Sequence, residues 1–390
     1  MTDSSSNRWL FILPNLDGGG AQRVCVNIAN ELVRRGWQVH FVLFDVRGEL
    51  RYELAPEVGV ESLRVDSIRA GGARLREVFR RWRPAVCLST MVIANLVACA
   101  ARRQGGGPVL IVREANTLSC WLRERGGGWR GVLLRLRIRW LYRRADCLLA
   151  NSGGSADDLA SHAGVSRGRV SVLGNALDLH RIRALAMEPS AVDVPNPPAG
   201  VVRVVAAGRL AQHKGFATAI EACAVLRDSR PVQLVILGEG RAREALEARV
   251  RELGVADLVH LPGYVANPYP IIAGAGAFLL SSQWEGAPNV LIEALALGVP
   301  AVATDCPNGP REILEDGHLG RLVPVGDAEA MAAALRATLV EDASRDALRT
   351  RAEAFAVHRV VDNLLAQCNV SCPGSGACNS QESRWRITEH

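Results

Sequence analysis

The chain has 390 residues, more than one hydrophobic core usually organises, so its length predicts two domains. Hydrophobic residues make up 48% and charged residues 22%, which excludes a wholly disordered chain, a collagen-like repeat and a coiled coil. Residues 1–190 hold 28 arginines against 17 acidic residues, whereas residues 191–390 are net acidic. The basic half favours an anionic partner, and charge alone leaves a membrane, a nucleic acid or a phosphorylated lipid open.

Ten cysteines are scattered along the chain without a C-x-x-C motif, a pattern typical of reduced thiols in a cytosolic protein. Residues 369–390 lose all periodicity and are predicted to be a disordered tail. Its two cysteines, with Cys368, lack a fourth ligand at zinc spacing, so we expect no metal there. We find neither a signal peptide nor the roughly 18 apolar residues of a membrane span. These observations predict a cytoplasmic protein.

Short, almost continuously apolar runs alternate with helical patterns in both halves of the chain. They lie at 9–13, 39–44, 85–89, 109–112, 147–150, 170–173, 201–206, 232–237, 258–261, 277–280, 300–303 and 322–325. Such runs are typical of strands buried on both faces, and their alternation with helices predicts parallel sheets. Four prolines mark residues 185–200 as a linker. We therefore expect domains at 1–184 and 201–352, then a helix at 353–368 that could pack back on the first domain.

Three glycines, Gly18, Gly19 and Gly20, follow the first predicted strand and open a helix predicted over 21–34. Glycines let a ligand approach the backbone, and a helix N-terminus offers N–H groups and a positive dipole end to an anion. Phosphate or a phosphorylated sugar fits this loop. Asp45 suggests a dinucleotide site, but G-x-G-x-x-G needs glycine where Arg23 stands. A tight turn without a ligand is the alternative.

Lys214, the only lysine of the chain, lies in a glycine-flanked loop after the first strand of the second domain. Elsewhere the chain uses arginine, so this position suggests a site that requires a compact ammonium. We expect Lys214 to contact a diphosphate. A solvated surface lysine is the alternative.

Glu285 and Glu293 form an E-x7-E pattern, with Pro288 predicted at the first helical position and Gly298 at the helix end. Glu285 then lies in the preceding loop, and Glu293 lies on an apolar helix where a carboxylate needs a partner. The two acids can hold hydroxyls on either side of a phosphate bound at the helix N-terminus. The alternative is a capping acid and a salt-bridged core glutamate.

Four further motifs complete an ordered set over residues 10–330: 237–240, 261–264, 267–270 and 304–312. In this order, the set resembles the retaining glycosyltransferases of family four. The resemblance implies an α/β protein with the GT-B fold, in which two Rossmann-like parallel-sheet domains face each other across a cleft. The first domain would hold the acceptor and the second the nucleotide sugar.

The resemblance also assigns roles to individual residues. Arg209 and Lys214 would neutralise the donor diphosphate, and Glu285 would hold the hydroxyls of the transferred sugar, which makes these three the catalytic set. Glu293 would bind the ribose hydroxyls. The other donor-side residues are Gly18, Gly19, Gly20, Gly208, Gly238, Gly263, Tyr264, Val265, Asn289 and Val290. We expect no metal or cofactor, because these cations and the helix terminus supply the charge and the sequence has no D-x-D pair.

Many family members carry a histidine after the fourth strand of the first domain. The matching stretch here is 112–117, which contains no histidine. Arg113, Glu114 and Asn116 are therefore the acceptor-side candidates.

Residues 123–144 contain eight arginines and one glutamate. On a helical projection Trp129, Leu133, Leu136 and Trp140 form an apolar stripe between arginines, which predicts binding to an anionic membrane surface. A second stripe of Leu134, Ile138, Leu141 and Tyr142 would face the core. A solvated basic face or a partner-docking helix is the alternative. No groove-reading motif supports nucleic-acid binding.

The sequence thus predicts transfer of a sugar, with retention and preferably from a UDP-sugar, to a hydroxyl of a glycan or polyprenyl-diphosphate-linked glycan. The process would be surface polysaccharide or glycoconjugate assembly at the inner face of the cytoplasmic membrane. A sugar-nucleotide epimerase of the same fold and a non-catalytic scaffold are the alternatives. A phosphorylase would require a pyridoxal-phosphate lysine, whereas Lys214 lies in the diphosphate loop.

Overall fold

The computed structural model describes residues 7–102, 106–125, 128–341 and 343–368. In this part of the chain the strands form two parallel sheets, one of seven strands and one of six. The two Rossmann-like domains and the α/β class predicted from the sequence are confirmed. Every predicted apolar run overlaps a strand.

The first sheet has the order β3-β2-β1-β4-β5-β6-β7. Its strands are β1 (Arg8–Leu13), β2 (Gln38–Leu43), β3 (Gly59–Ser62), β4 (Val86–Thr90), β5 (Val109–Glu114), β6 (Cys147–Ala150) and β7 (Val170–Val172). The helices of this domain are α1 (Gly20–Arg34), α2 (Ile68–Trp82), α3 (Val92–Ala101), α4 (Leu118–Arg125), α5 (Gly128–Leu141) and α6 (Gly153–Ala163). The next helix, α7 (Leu179–Leu185), packs its buried residues in an apolar cluster of the second domain. Alternate residues of β1 enter two separate apolar layers, one beneath α1 and one beneath α2, α3, α5 and α6. Because helices cover both faces, the central strands are apolar almost throughout.

The second sheet has the order β10-β9-β8-β11-β12-β13. Its strands are β8 (Val202–Ala207), β9 (Val232–Leu237), β10 (Val259–Gly263), β11 (Ala277–Leu280), β12 (Ala301–Thr304) and β13 (Arg321–Val323). Its helices are α8 (Phe216–Leu226), α9 (Arg243–Glu252), α10 (Tyr269–Ala273), α11 (Asn289–Ala296), α12 (Pro310–Ile313), α13 (Ala328–Thr338) and α14 (Arg345–Ala352). Helices α8, α9 and α13 cover one face, and α10, α11 and α14 pack in the layer on the other.

Strand β3 is absent from the predicted set. It pairs only with β2 at the edge of the sheet, and its residues are half-buried or exposed. An edge strand does not need the continuous apolar run that identifies a central strand. The stretch 112–117 therefore spans the end of the fifth strand and the loop after it, and its assignment to the fourth strand was wrong.

The chain returns to the first domain after α14. The last described helix, α15 (Val357–Gln367), packs beside α1, and the guanidinium of Arg35 lies 2.6 Å from the carboxylate of Asp362. Residues 369–390, predicted to form a disordered tail, lie outside the described residues. None of the described helices is both long and apolar enough to cross a membrane.

Candidate active site

The loops at the carboxyl ends of the two sheets meet across a cleft. Nδ2 of Asn289, at the start of α11, lies 3.3 Å from the carbonyl oxygen of Gly20. On the same side, the Tyr264 hydroxyl donates to Glu49 over 3.4 Å and lies close above Gly18. The structure thus brings the glycine-rich loop of the first domain to the E-x7-E segment of the second.

Lys214 and Glu285 form an ion pair inside this cleft. Nζ of Lys214 lies 2.6 Å from Oε1 of Glu285, and the side chains are 18% and 11% exposed. The Ser282 hydroxyl donates to the same oxygen over 2.6 Å. The lysine is held there by Gly215, which has φ of +62° and whose Cβ, if it had one, would lie 2.0 Å from the Ser281 carbonyl oxygen. A glycine is therefore required for the lysine turn to pack against the end of β11.

Arg209 is exposed at the carboxyl end of β8, in the loop that leads to Lys214. Gly238 packs against Gly208 so closely that a Cβ would lie 2.0 Å from its carbonyl oxygen. The loops after β8 and β9 therefore lie side by side, and Arg209 is exposed where they meet.

His213 and Trp284 stack on each other, with ring centroids 5.0 Å apart. Burial, followed by the charge of Lys214, lowers the pKa of His213 and so favours a neutral ring. Sequence reasoning missed this aromatic pair. The available signal is position, because each ring immediately precedes a residue predicted for the site.

Glu293 is buried on α11, and it lines one small cavity together with Tyr269 and Arg23. Burial raises its pKa to about 7, against the opposing effect of Arg23. Arg23 is shared with Glu53, whose Oε2 lies 2.9 Å from Nη1 of the arginine. The buried glutamate of this apolar helix therefore has polar neighbours from both domains, Arg23 from the first and Tyr269 from the second.

Helix α11 begins at Asn289, so Pro288 is its N-cap and its prediction as the first helical residue was wrong. Leu291 donates the first intrahelical bond, to the Pro288 carbonyl. The N–H groups of Asn289 and Val290 come before this first intrahelical bond, so they are available to bind an anion. Gly298 has φ of +74° and ends the helix as predicted.

The predicted base-side residues follow β10. Gly263, with φ of +99°, turns the chain so that Tyr264 is 56% exposed over the cleft while Val265 is buried. The acceptor-side candidates differ more strongly from expectation. Arg113 and Glu114 are buried, and only Asn116 of the three is exposed.

Glu114 accepts hydrogen bonds from Asn95 over 2.8 Å and from the Tyr142 hydroxyl, and burial raises its pKa to about 7. Arg113 donates to Oδ1 of Asn175 over 2.5 Å. Both side chains are therefore engaged inside the first domain, because a strand buried on both faces directs each of its side chains into a core.

Helix α5 presents the predicted stripes to opposite sides. Ile138 and Leu141, with Tyr142 in the turn after the helix, are buried in the first domain, and Leu134 is half-buried. Trp129 is 72% and Trp140 61% exposed. The exposed side also carries Leu133, Leu136, Arg135, Arg137 and Arg139. The guanidinium carbon of Arg144 lies 3.9 Å from the centre of the Trp140 ring. This face combines aromatic and basic side chains at the surface of the first domain.

Residues 18–181 match the family described as Glycosyltransferase Family 4, and residues 192–355 match the family described as Glycosyl transferases group 1. The chain is 34% identical, over 275 residues, to an N-acetylgalactosamine-N,N'-diacetylbacillosaminyl-diphospho-undecaprenol 4-alpha-N-acetylgalactosaminyltransferase of Campylobacter jejuni. The match covers 70% of this chain and 72% of the relative.

A second relative is the lipopolysaccharide core biosynthesis glycosyltransferase LpsE of Rhizobium meliloti, 30% identical over 85% of this chain and 89% of its own length. Among solved structures, Anabaena HepE in complex with UDP superposes with a TM-score of 0.70 at 20% identity, covering 93% of this chain and 99% of that one. This last likeness shows the fold alone.

Proposed function

The chain belongs to the family-four glycosyltransferases, and from that premise we propose that it moves a sugar from a UDP-sugar to a hydroxyl of a polyprenyl-diphosphate-linked glycan. The transfer would retain the anomeric configuration and would serve surface polysaccharide or glycoconjugate assembly. The observation that carries the proposal is the Lys214–Glu285 pair, which lies in the loops before α11. The first residue of α11, Asn289, contacts the glycine-rich loop of the first domain.

The donor diphosphate binds between Lys214, Arg209 and the N-terminus of α11 in this proposal. When the bond to the sugar breaks, the nucleotide diphosphate gains negative charge, and preorganised cations and helix N–H groups lower the barrier. When the donor binds, Lys214 gives up its ion pair with Glu285 and binds the phosphate, and Glu285 accepts hydrogen bonds from the hydroxyls of the transferred sugar. Because the protein supplies the positive charge, no metal ion is required for this step.

In this proposal the nucleoside lies on the side of α11 away from the transferred sugar. Glu293 accepts hydrogen bonds from the ribose hydroxyls near Tyr269. The backbone at Gly263–Val265 contacts the base beneath Tyr264. A uracil base is favoured because HepE, which shares the fold, was solved in complex with UDP.

The acceptor enters from the first domain. The printed name of the Campylobacter relative, an undecaprenol-diphosphate glycan transferase, supports a lipid-linked acceptor. The exposed Trp140 and Trp129 of α5, bordered by arginines, supply the apolar and basic contacts that an anionic bilayer favours. We propose on this support that the enzyme works at the inner face of the cytoplasmic membrane, with Asn116 as the exposed acceptor-side candidate.

A donor-hydrolysis screen over UDP-, GDP- and ADP-sugars tests this function. We expect slow release of UDP from a UDP-sugar, accelerated by a polyprenyl-diphosphate glycan that becomes extended by one sugar. Release of an isomerised free sugar without any acceptor would instead identify an epimerase. If none of the three nucleotide sugars binds or reacts, the donor-site assignment fails.

A further inference from the structure

Two side chains of the first domain hold the main chain of the loop that carries Glu285. The Thr117 hydroxyl donates to the Glu285 carbonyl oxygen over 2.8 Å. Nδ2 of Asn175 donates to the carbonyl oxygen of Ala287 over 2.8 Å. The loop of the second domain is thus fixed at two points by the first domain.

The Thr117 hydroxyl is both a donor and an acceptor. It accepts a hydrogen bond from Nδ2 of Asn308 over 2.7 Å and donates one to the main-chain carbonyl oxygen of Glu285. The side chain is only 4% exposed, so water does not readily replace these partners. A single hydroxyl therefore joins the loop after β5 to two loops of the second domain.

Asn175 connects the same loop to the interior of the first domain. Its Oδ1 accepts from Arg113, and its Nδ2 also contacts Oδ1 of Asn289. Two further nitrogens of Arg113, Nε and Nη1, have no partner in the described chain although the residue is fully buried. The hydrogen bond to Asn175 is therefore the main polar contact of the Arg113 guanidinium. Because Asn175 also binds the Glu285 loop, the position of the guanidinium is coupled to that of the loop.

Between the two anchor points the domains touch with no room for a side chain. A Cβ on Gly286 would lie 2.7 Å from the Ala115 carbonyl oxygen and 2.8 Å from the side-chain Nδ2 of Asn151. The conformation of residues 285–289 is therefore defined by contact with the first domain as well as by the second domain's own fold.

We propose that Thr117 and Asn175 are positioning residues that hold Glu285 and the start of α11 in the arrangement needed for sugar transfer. This inference rests on the proposed function, since it assigns the two residues to the same site. Both bind main-chain carbonyl groups of the loop, so they act through the geometry of Glu285 and Asn289. Misplacing a reacting group by a small distance lowers turnover more than it weakens binding.

The test compares Thr117→Val, which keeps the shape and loses the hydroxyl, with Thr117→Ser, which keeps the hydroxyl. We expect Thr117→Val to lower kcat for transfer about tenfold, the effect of one lost hydrogen bond, with little change in donor KM. Thr117→Ser should retain most of the wild-type kcat. Asn175→Asp keeps an acceptor for Arg113 but loses the donor to the Ala287 carbonyl. It should reproduce the valine result from the second anchor point, and it serves as the test if Thr117→Val does not fold.

Hydrogen exchange of the amides at 284–291, measured without donor, supplies a readout independent of activity. Exchange should be faster in Thr117→Val than in the wild type and unchanged in Thr117→Ser. Wild-type kcat and exchange in folded Thr117→Val, or equal losses in the serine and valine variants, would overturn the inference. If the wild type transfers no sugar but the exchange pattern appears, the proposed function fails and the positioning of the loop stands.

Discussion

Nζ of Lys214 lies 2.6 Å from Oε1 of Glu285, so the only lysine of the chain pairs with the first acid of the E-x7-E motif. Both side chains are largely buried, and a charge-assisted hydrogen bond in such a site is strong. A donor that replaces this bond must offer an anion to the lysine and hydroxyl donors to the glutamate. A sugar attached to a diphosphate offers both groups.

Replacing Lys214 by alanine is expected to lower kcat by a factor of about 10², the typical loss of one preorganised charge on a developing anion. Arg209→Ala should have an effect of the same order. The measurement is transfer at saturating donor, with circular dichroism to establish that each variant is folded.

Arg251 provides the matched control for these substitutions, because it is exposed on α9 and is not part of the candidate active site. Arg251→Ala should leave kcat unchanged. A folded Lys214→Ala protein that turns over at the wild-type rate would refute the diphosphate assignment.

Chelation by EDTA is expected to leave transfer largely intact. The proposed donor site offers positive charge from Lys214, Arg209 and the N-terminus of α11, which we expect to replace the charge of a divalent ion. Initial rates are measured with and without EDTA, then after adding magnesium or manganese. Complete loss on chelation, restored by either ion, would show that the protein's own charges are insufficient.

The arginines of α5 are expected to support membrane binding without affecting the donor site. Electrostatic attraction is worth about 1 kcal/mol per basic residue near an anionic surface. Replacing Arg135, Arg137 and Arg139 by glutamine should therefore reduce sedimentation with anionic liposomes and transfer to a lipid-linked acceptor. Donor hydrolysis should be nearly unchanged, because the charged groups proposed to bind the donor, Lys214, Arg209 and the start of α11, lie in the second domain.

The control for α5 removes the same charge from α2 and its C-cap. Arg69, Arg80 and Arg83 are exposed there, and their replacement by glutamine should leave liposome binding close to that of the wild type. The membrane assignment is lost if the wild-type protein does not sediment with anionic liposomes at low salt. It is also lost if the α5 variant reduces hydrolysis and transfer equally.

Glu293 makes the stability of the protein depend on pH. Burial raises its pKa from an ordinary 4.5 to about 7, so between these values the folded chain binds more protons than the unfolded chain. The free energy of unfolding therefore falls as the pH rises through this window. Glu293→Gln removes this contribution, so its Tm relative to the wild type should be higher at about pH 8 than at about pH 5.

Glu329→Gln, at an exposed position on α13, serves as the reference for this measurement. Its Tm difference from the wild type should be the same at both pH values. A difference between Glu293→Gln and wild type that does not change with pH would mean that the carboxyl is already ionised throughout the window.

Strands buried on both faces could be predicted from their continuous apolar runs, and these runs were enough to indicate both sheets. Strand β3 could not, because an edge strand covered on one side needs no such run. The same burial explains the acceptor-side candidates. Sequence alone does not show that Arg113 and Glu114 point into cores, since both are polar residues at the end of an apolar strand.

Lys214 and Glu285 could be singled out from the sequence, one by its rarity and the other by its motif, but their contact could not. The partners of the Glu285 loop were also invisible, because Thr117 lies 168 positions away from the glutamate in sequence. Such contacts depend on how two separately folded domains meet. Local periodicity carries no information about that arrangement.

The most direct measurement is proton NMR of the product formed by the wild-type protein from an α-linked UDP-sugar and a polyprenyl-diphosphate glycan. Donor binding by Lys214 and Glu285 in a retaining transferase predicts one added sugar, joined to a hydroxyl of the acceptor through an α-linkage. A β-linked product, or an acceptor that remains unextended while the protein is folded and supplied with donor, would contradict retaining transfer at this site.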